Sequence, residues 1–174
     1  MNTIFDEDLQ RIQKQAGAIW QDLDNSHIFL TGGTGFFGRW LLHSIKHAID
    51  TIGLNIRITI LTRNPESFGS EEPDLGTYSR FHFLSGDIRD FSFPRGEFTH
   101  LIHGAADSSD HVLRSDPLRM FNSIVLGANR VLDFATDSKI PRILFLSSGA
   151  VFGDQSSEFN EIPDDWEGKR IVWT

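Results

Sequence analysis

The chain has 174 residues, 39% of them hydrophobic, which suffices for one domain with its own core and is too few for two large ones. A formal charge of −8 without any basic run argues against a nucleic-acid partner, since affinity for a phosphate backbone rests on clustered Lys and Arg. The absence of cysteine excludes disulfides, thiolate metal sites and a cysteine nucleophile.

Residues 1–10 are acidic and lack the apolar centre of a signal peptide, and no apolar run approaches the ~20 residues of a membrane helix. The expectations are a cytoplasmic location and no membrane partner. Phe5, Leu9, Ile12, Ala16, Ile19, Trp20 and Leu23 recur at three- and four-residue steps, which predicts an amphipathic helix within residues 1–24. Its apolar stripe must dock on something. His27–Thr31 reads as a short apolar strand, residues 36–50 as a helix and residues 55–62 as a β-branched second strand. Residues 64–80, rich in Glu, Gly, Ser and Pro, read as a mobile surface loop. Further strands are predicted at 81–85, 99–104 and 142–147, with a long helix near 117–136 before the last. Strands alternating with helices predict an α/β fold, a doubly wound parallel sheet in three α/β/α layers, over residues 25–154. Residues 155–174 read as an irregular tail. No internal repeat or low-complexity tract is present.

Thr31-Gly32-Gly33-Thr34-Gly35-Phe36-Phe37-Gly38 lies between the first strand and the following helix. Gly33-x-Gly35-x-x-Gly38 satisfies the dinucleotide fingerprint at the place where the mechanism needs it. The glycines permit a tight turn and let backbone N–H groups approach a pyrophosphate, while the helix beginning near Phe36 turns its positive end toward the anion. A triphosphate-binding loop is the rival reading, and it fails because Arg39-Trp40 stands where Lys-Ser/Thr should hold phosphate and magnesium. A turn that binds nothing is the bland alternative.

The same turn, as Thr31-Gly32-x-x-Gly35-x-x-Gly38, resembles the cofactor motif of the extended short-chain dehydrogenase/reductases, the family of nucleotide-sugar epimerases and dehydratases. Gly86-Asp87-Ile88 resembles the family's loop after the third strand, whose Asp recognises the adenine amino group. His103-Gly104-Ala105-Ala106 resembles its fourth-strand motif, whose small residues let the backbone lie against the cofactor. Asp116-Pro117, Asn122 and Gly127 resemble the next helix. Ser147-Ser148-Gly149-Ala150-Val151-Phe152-Gly153 resembles the segment that carries the catalytic Ser or Thr and ends in Val-Tyr-Gly.

The resemblance spans about residues 28–153 and implies a Rossmann fold lacking its C-terminal part. It implies cofactor contacts from Gly32, Thr34, Gly35, Phe36, Phe37, Gly38, Asp87, Ile88, Gly104, Ala105, Ala106, Asn122 and Ser147. It also implies that Ser148 is catalytic, its hydroxyl hydrogen-bonding the substrate oxygen at the carbon being oxidised. The carboxyl ends of the strands in an open sheet form the ligand crevice, which agrees with that placement; a serine capping the strand end is the plain alternative. By resemblance, His103 lies near the nicotinamide side.

Cofactor choice depends on the end of the second strand. An acidic residue there would bind the ribose 2′-hydroxyl of NAD, whereas Arg63 follows Thr62, and an Arg can accept a 2′-phosphate, so NADP is favoured over NAD. A solvated loop charge is the other reading of Arg63.

The sequence departs from the family pattern after Ser148. A Tyr-x-x-x-Lys should follow, yet the only tyrosine is Tyr78, and Asp165 stands four residues before Lys169. The resemblance therefore implies a continuation carrying that motif and the substrate half. Gly149 and Ala150 occupy the place of an acidic pair in dTDP-glucose dehydratases, which favours epimerase or reductase chemistry. The implied function is the NAD(P)-binding portion of an epimerase/dehydratase-type oxidoreductase. It would transfer hydride between NAD(P) and a carbon of a nucleotide-sugar substrate, and this chain by itself would bind cofactor without turnover. A non-catalytic dinucleotide-binding sensor or interaction module is the alternative from another class. Self-association into a homo-oligomer is expected, through the N-terminal helix or the sheet edge at the fifth strand.

His43 and His47 lie four apart on a helix, but the stretch lacks the Glu of a zinc hydrolase and a third ligand, so no metal site is expected. Asp107 and Asp110 read as solvated loop carboxylates rather than substrate contacts. The fifteen Phe and four Trp read as core and docking surface, because no basic groove accompanies them.

Overall fold

The fold is described from a computed structural model, which covers residues 3–106, 114–153, 162 and 166. Five strands, β1 (His27–Thr31), β2 (Arg57–Thr62), β3 (Phe81–Ser85), β4 (His100–His103) and β5 (Arg142–Phe145), pair in parallel in the order β3-β2-β1-β4-β5. β1 is central, with Leu30 beside Ile60 on one side and Ile102 on the other. This is the doubly wound α/β sheet expected from the sequence. β2 begins at Arg57 instead of residue 55 because the Asn55 N–H is taken by the Asp24 carboxylate at 2.8 Å.

Alternation along β1 and β2 separates two cores. Ile28, Leu30, Ile58 and Ile60 face one layer with Leu42 and Ile45 of α3 (Phe36–Ile52), whereas Phe29 and Leu61 face the other. That second layer holds Val131 and Phe134, from the long helix Pro117–Asp137. Asp116 caps this helix by accepting the Arg119 N–H at 2.9 Å. No helix occupies residues 86–99 between β3 and β4; Phe91, Phe93 and Phe98 fill the layer there, packed around Phe134. Arg130 fastens this segment, its guanidinium 4.0 Å from the Phe93 ring and donating to the Phe91 carbonyl at 2.8 Å.

The expected N-terminal helix is broken. α1 (Thr3–Ala16) and α2 (Ile19–Asp22) are separated at Gly17, whose φ of +48° is the left-handed conformation glycine tolerates. The apolar stripe docks on α3: Leu9 and Trp20 are buried, and the Phe5 ring meets Trp40 and His43. That stripe is therefore consumed within the chain except at Ile19, which is largely exposed.

Residues 64–80 are not the surface loop expected from their composition. They form two short helices, α4 (Pro65–Glu71) and α5 (Pro73–Gly76), each with proline in its first turn. The Asn64 side chain caps α4 by accepting the Ser67 N–H at 3.0 Å, and Phe68 and Leu75 enter the core. In chain order Pro117–Asp137 is thus α6. Among the described residues no helix is long and apolar enough to cross a membrane.

Among the described residues β5 pairs with β4 only. Ile143, Leu144, Phe145 and Leu146 are all about half exposed, as are Leu118, Phe121, Leu126 and Leu132 of α6.

Candidate functional site

The strand order reverses between β1 and β4, and ligands of open α/β sheets bind outside the strand ends at such a point. The turn leaving β1 meets the segment leaving β4 there. Gly32 has φ +78°, and a Cβ on it would lie 2.5 Å from the Gly104 backbone. A Cβ on Gly38 would lie 2.2 Å from the Gly32 carbonyl oxygen, so these two glycines serve close backbone packing. Gly35 differs, because a Cβ there would meet nothing nearer than the Gly32 oxygen at 3.4 Å. Gly35 is also the N-cap of α3, in extended backbone (φ −80°, ψ 179°), and no side chain caps the helix. The first N–H groups of α3 are left for an incoming acceptor.

Beneath the turn, the buried Thr31 hydroxyl accepts the Ala105 N–H at 3.3 Å and lies 2.7 Å from His103 Nδ1. That hydroxyl and Nδ1 share one hydrogen bond whose direction follows the tautomer, and either tautomer is a neutral imidazole. Burial pushes the His103 pKa down from the ordinary histidine value, favouring this neutral form. His103 lies against Phe145 and does not line the cleft.

A cleft of about 410 Å³ opens above these strand ends. Of the residues singled out in the sequence, Gly32, Thr34, Gly35, Arg63, Asp87, Ile88, Gly104, Ala105 and Ala106 line it. Gly38 lies behind the turn. Phe36 and Phe37 are outside the lining, largely exposed with their rings against each other. Asn122 is half-buried on α6, and its neighbour Ser123 lines the cleft instead. Ser147 and Ser148 follow β5 on an exposed stretch outside the cleft lining; the Ser148 carbonyl accepts the Val151 N–H at 3.1 Å, opening the turn at Gly149–Phe152. Gly127 lets α6 approach the loop after β3, since a Cβ there would meet Ile88 at 3.0 Å. Asp107, Asp110, Asp165 and Lys169 lie outside the described residues.

Asp87 is held ready as an anion. Its Oδ1 accepts from Arg89 Nε at 2.7 Å and from the Arg89 backbone N–H at 3.0 Å, and Oδ2 accepts from Nη2 at 3.0 Å. The Arg89 side-chain bonds hold its carboxyl below the usual range, with a smaller contribution from the charge of Arg63. Tyr78 lies elsewhere. Its hydroxyl donates to Asp50 at 2.6 Å, and burial followed by that carboxylate pushes its pKa above the ordinary tyrosine value, so it does not supply a base to the cleft.

Sequence reasoning missed one cluster at the rim. Arg39, one residue past the last motif glycine, donates from Nε to the Thr34 carbonyl at 3.0 Å, from Nη1 to Glu72 at 2.9 Å and from Nη2 to Glu71 at 2.5 Å. Its guanidinium lies 5.2 Å from the Phe68 ring centre. Arg39, Ser67, Phe68 and Glu71 all line the cleft beside Arg63. His43, for which no metal role is expected, sits 3.4 Å from Glu72.

The model of the NAD dependent epimerase/dehydratase family matches residues 28–167. Among curated proteins, cinnamoyl-CoA reductase 1 of Petunia hybrida is 24% identical over 142 residues, 79% of this chain and 40% of the relative. The UDP-N-acetylglucosamine 4-epimerase from Methanobrevibacter ruminantium, solved in complex with UDP-N-acetylmuramic acid, shares the fold with a TM-score of 0.66 and 20% identity. That match covers 85% of this chain and 45% of the epimerase. The UDP-glucose-4-epimerase from Stenotrophomonas maltophila, solved with bound NAD and formylated UDP-arabinopyranose, matches with a TM-score of 0.65 at 21% identity. It covers 83% of this chain and 43% of that one. The present chain thus spans less than half the length of each of these relatives.

Proposed function

The chain belongs to the NAD dependent epimerase/dehydratase family, and from that membership we propose that its cleft binds NAD(P) as the cofactor half of a nucleotide-sugar-modifying oxidoreductase. One observation carries the reading: the uncapped start of α3, the Asp87 carboxylate and the close-packed Gly32 and Gly104 backbones converge on a single cleft at the strand ends. In this reading the N–H groups of the first turn of α3 hold the pyrophosphate, and Asp87 takes the adenine amino group. Ala105 and Ala106 leave the cofactor room against the backbone, and Arg63 meets a 2′-phosphate, which favours NADP. When bound, the dinucleotide supplies hydride transfer to and from a sugar carbon.

Ser148 would polarise the substrate oxygen in the intact protein. No tyrosine other than Tyr78 exists in the chain, and the loss of a positioned base removes ~10²–10⁴ of rate, so this chain binds cofactor without completing the reaction. A panel of UDP-, GDP- and dTDP-sugars incubated with the chain and NAD(P) should give no multiple turnover by mass spectrometry; clear turnover would mean that another group serves as base.

Binding is tested by calorimetry with NAD⁺ and NADP⁺ on the wild type and on Gly35→Asp. Aspartate suits an N-cap and its charge suits a helix start, so the variant folds at least as well as the wild type. Its carboxylate occupies the anion position, and affinity should fall at least about tenfold for a charge of this kind at a partly exposed site. A wild type that binds neither dinucleotide, or a Gly35→Asp variant that binds as well as the wild type, would overturn the proposal.

A further inference from the structure

We propose that Glu71 is a specificity-determining residue for the cofactor: it opposes a phosphate on the adenosine 2′-oxygen and offers a 2′-hydroxyl an acceptor, with Arg39 as the cation it holds in balance. The inference rests on the reading that the cleft takes NAD(P).

The acceptor expected for a 2′-hydroxyl in this fold comes from an acidic residue at the end of the second strand. Here that position reads Thr62-Arg63, and both residues line the cleft. A carboxylate nonetheless reaches the same rim, carried by α4, since Glu71 lines the cleft beside Arg63, Asn64 and Ser67. Its other oxygen, Oε1, accepts from the Ser67 hydroxyl at 3.2 Å, which fixes the carboxylate plane. Arg39 stands opposite, fastened to the glycine turn through Thr34 and laid over Phe68. Three of its five N–H donors are engaged, and the Arg39 bond holds Glu71 ionised, below the usual carboxylate range.

The charged residues that line the cleft balance, with Arg39 and Arg63 against Glu71 and Asp87. A 2′-phosphate brings a charge of about −1.5 to −2, which the arginines attract and Glu71 repels. A 2′-hydroxyl brings no charge, needs one acceptor, and finds it in Glu71. Arg39 and Glu71 therefore push the choice of cofactor in opposite directions, and the preference of the wild type for NADP is narrow. Glu72 bonds Arg39 without lining the cleft, so it acts through Arg39 as a positioning residue.

The experiment measures dissociation constants for NADP⁺ and NAD⁺ on the full chain, at low and high salt, with the melting temperature of each variant. Glu71→Gln keeps an acceptor and removes the charge, so the NADP-to-NAD affinity ratio should rise about five- to tenfold, the order expected for one unit charge at a partly screened site. Glu71→Lys should raise it further, Glu71→Asp should restore the wild-type ratio, and Arg39→Gln should lower it. All these shifts should shrink at high salt. A purely structural role would move both affinities together and leave the ratio alone. An unchanged ratio in Glu71→Gln and Glu71→Lys, with both dinucleotides still bound, overturns this inference and spares the cofactor reading; a wild type that binds neither overturns both.

Discussion

Thr31 and His103, 72 residues apart in the chain, meet at 2.7 Å between Oγ1 and Nδ1 beneath the glycine turn. The same hydroxyl accepts the Ala105 N–H, so a single side-chain oxygen ties the end of β1 to the segment leaving β4.

Thr31→Val keeps the shape and removes that oxygen. A buried imidazole nitrogen and a partly buried N–H lose their partner, which costs about 1–3 kcal/mol. Urea unfolding should show a lower midpoint with unchanged slope, and dinucleotide affinity should fall because Ala105 is no longer fixed. A wild-type midpoint would mean that water or a shifted neighbour satisfies both groups.

The depressed pKa of His103 makes stability depend on pH. Between its folded value and the ordinary 6.5, the unfolded chain binds the proton and the folded chain does not. Stability is therefore full above about pH 6.5 and is lost as pH falls from there toward the folded value. His27 and His100, also lowered chiefly by burial, act in the same direction. Unfolding midpoints at about pH 7.5 and about pH 5.5 should differ in that sense, and His103→Gln should flatten the difference. An equal slope in the variant would assign the effect to the other two histidines.

Gly38→Ala and Gly35→Asp should part company. At Gly38 the added carbon meets the Gly32 and Gly33 backbones at 2.2 to 2.5 Å, and neither is free to give way, so a loss of about 1–3 kcal/mol or more is expected. Gly35→Asp should melt no lower than the wild type while losing the dinucleotide. Equal melting temperatures for the wild type and Gly38→Ala would show that the turn can open.

The uncovered face of β5 and α6 should make the chain self-associate. Ile143, Leu144 and Phe145 are 47%, 58% and 46% exposed on a strand whose outer edge is unpaired among the described residues. Sedimentation at rising concentration should show association, and Leu144→Lys should weaken it. A monomer at every concentration would remove the expectation.

The five strands were legible because each is a short apolar run bounded by turn residues, and the glycine turn because its chemistry is carried by backbone next to a strand and a helix. Residues 64–80 were not. Their Gly, Ser and Glu content resembles a loop, and only the spacing of Asn64-Pro65 before Phe68, and of Pro73 before Leu75, marks two short helices. That error hid Glu71, since a carboxylate on a supposed loop has no address. Arg39 was visible only as a residue that spoils a triphosphate loop; its meeting with Glu71 and Glu72, 32 and 33 residues downstream, is a tertiary fact with no local signal. The stripe of α1 was readable from periodicity, but Gly17 as its break was not, because an isolated glycine is tolerated within many helices.

The arrangement of β1 between β2 and β4 also has a kinetic consequence. β1 reaches β2 across a modest stretch of chain, as in the bond from His27 to Thr59, 32 residues on, but reaches β4 only across 72 residues. Pairings between distant segments form slowly, so β1, α3 and β2 are expected to assemble first and the strand that leads into Gly104 to arrive afterwards. The two walls of the cleft belong to opposite sides of that delay. A dinucleotide then recognises only the finished molecule: it should lower the unfolding rate and leave the folding rate unchanged, shifting one arm of the chevron while the other stays in place.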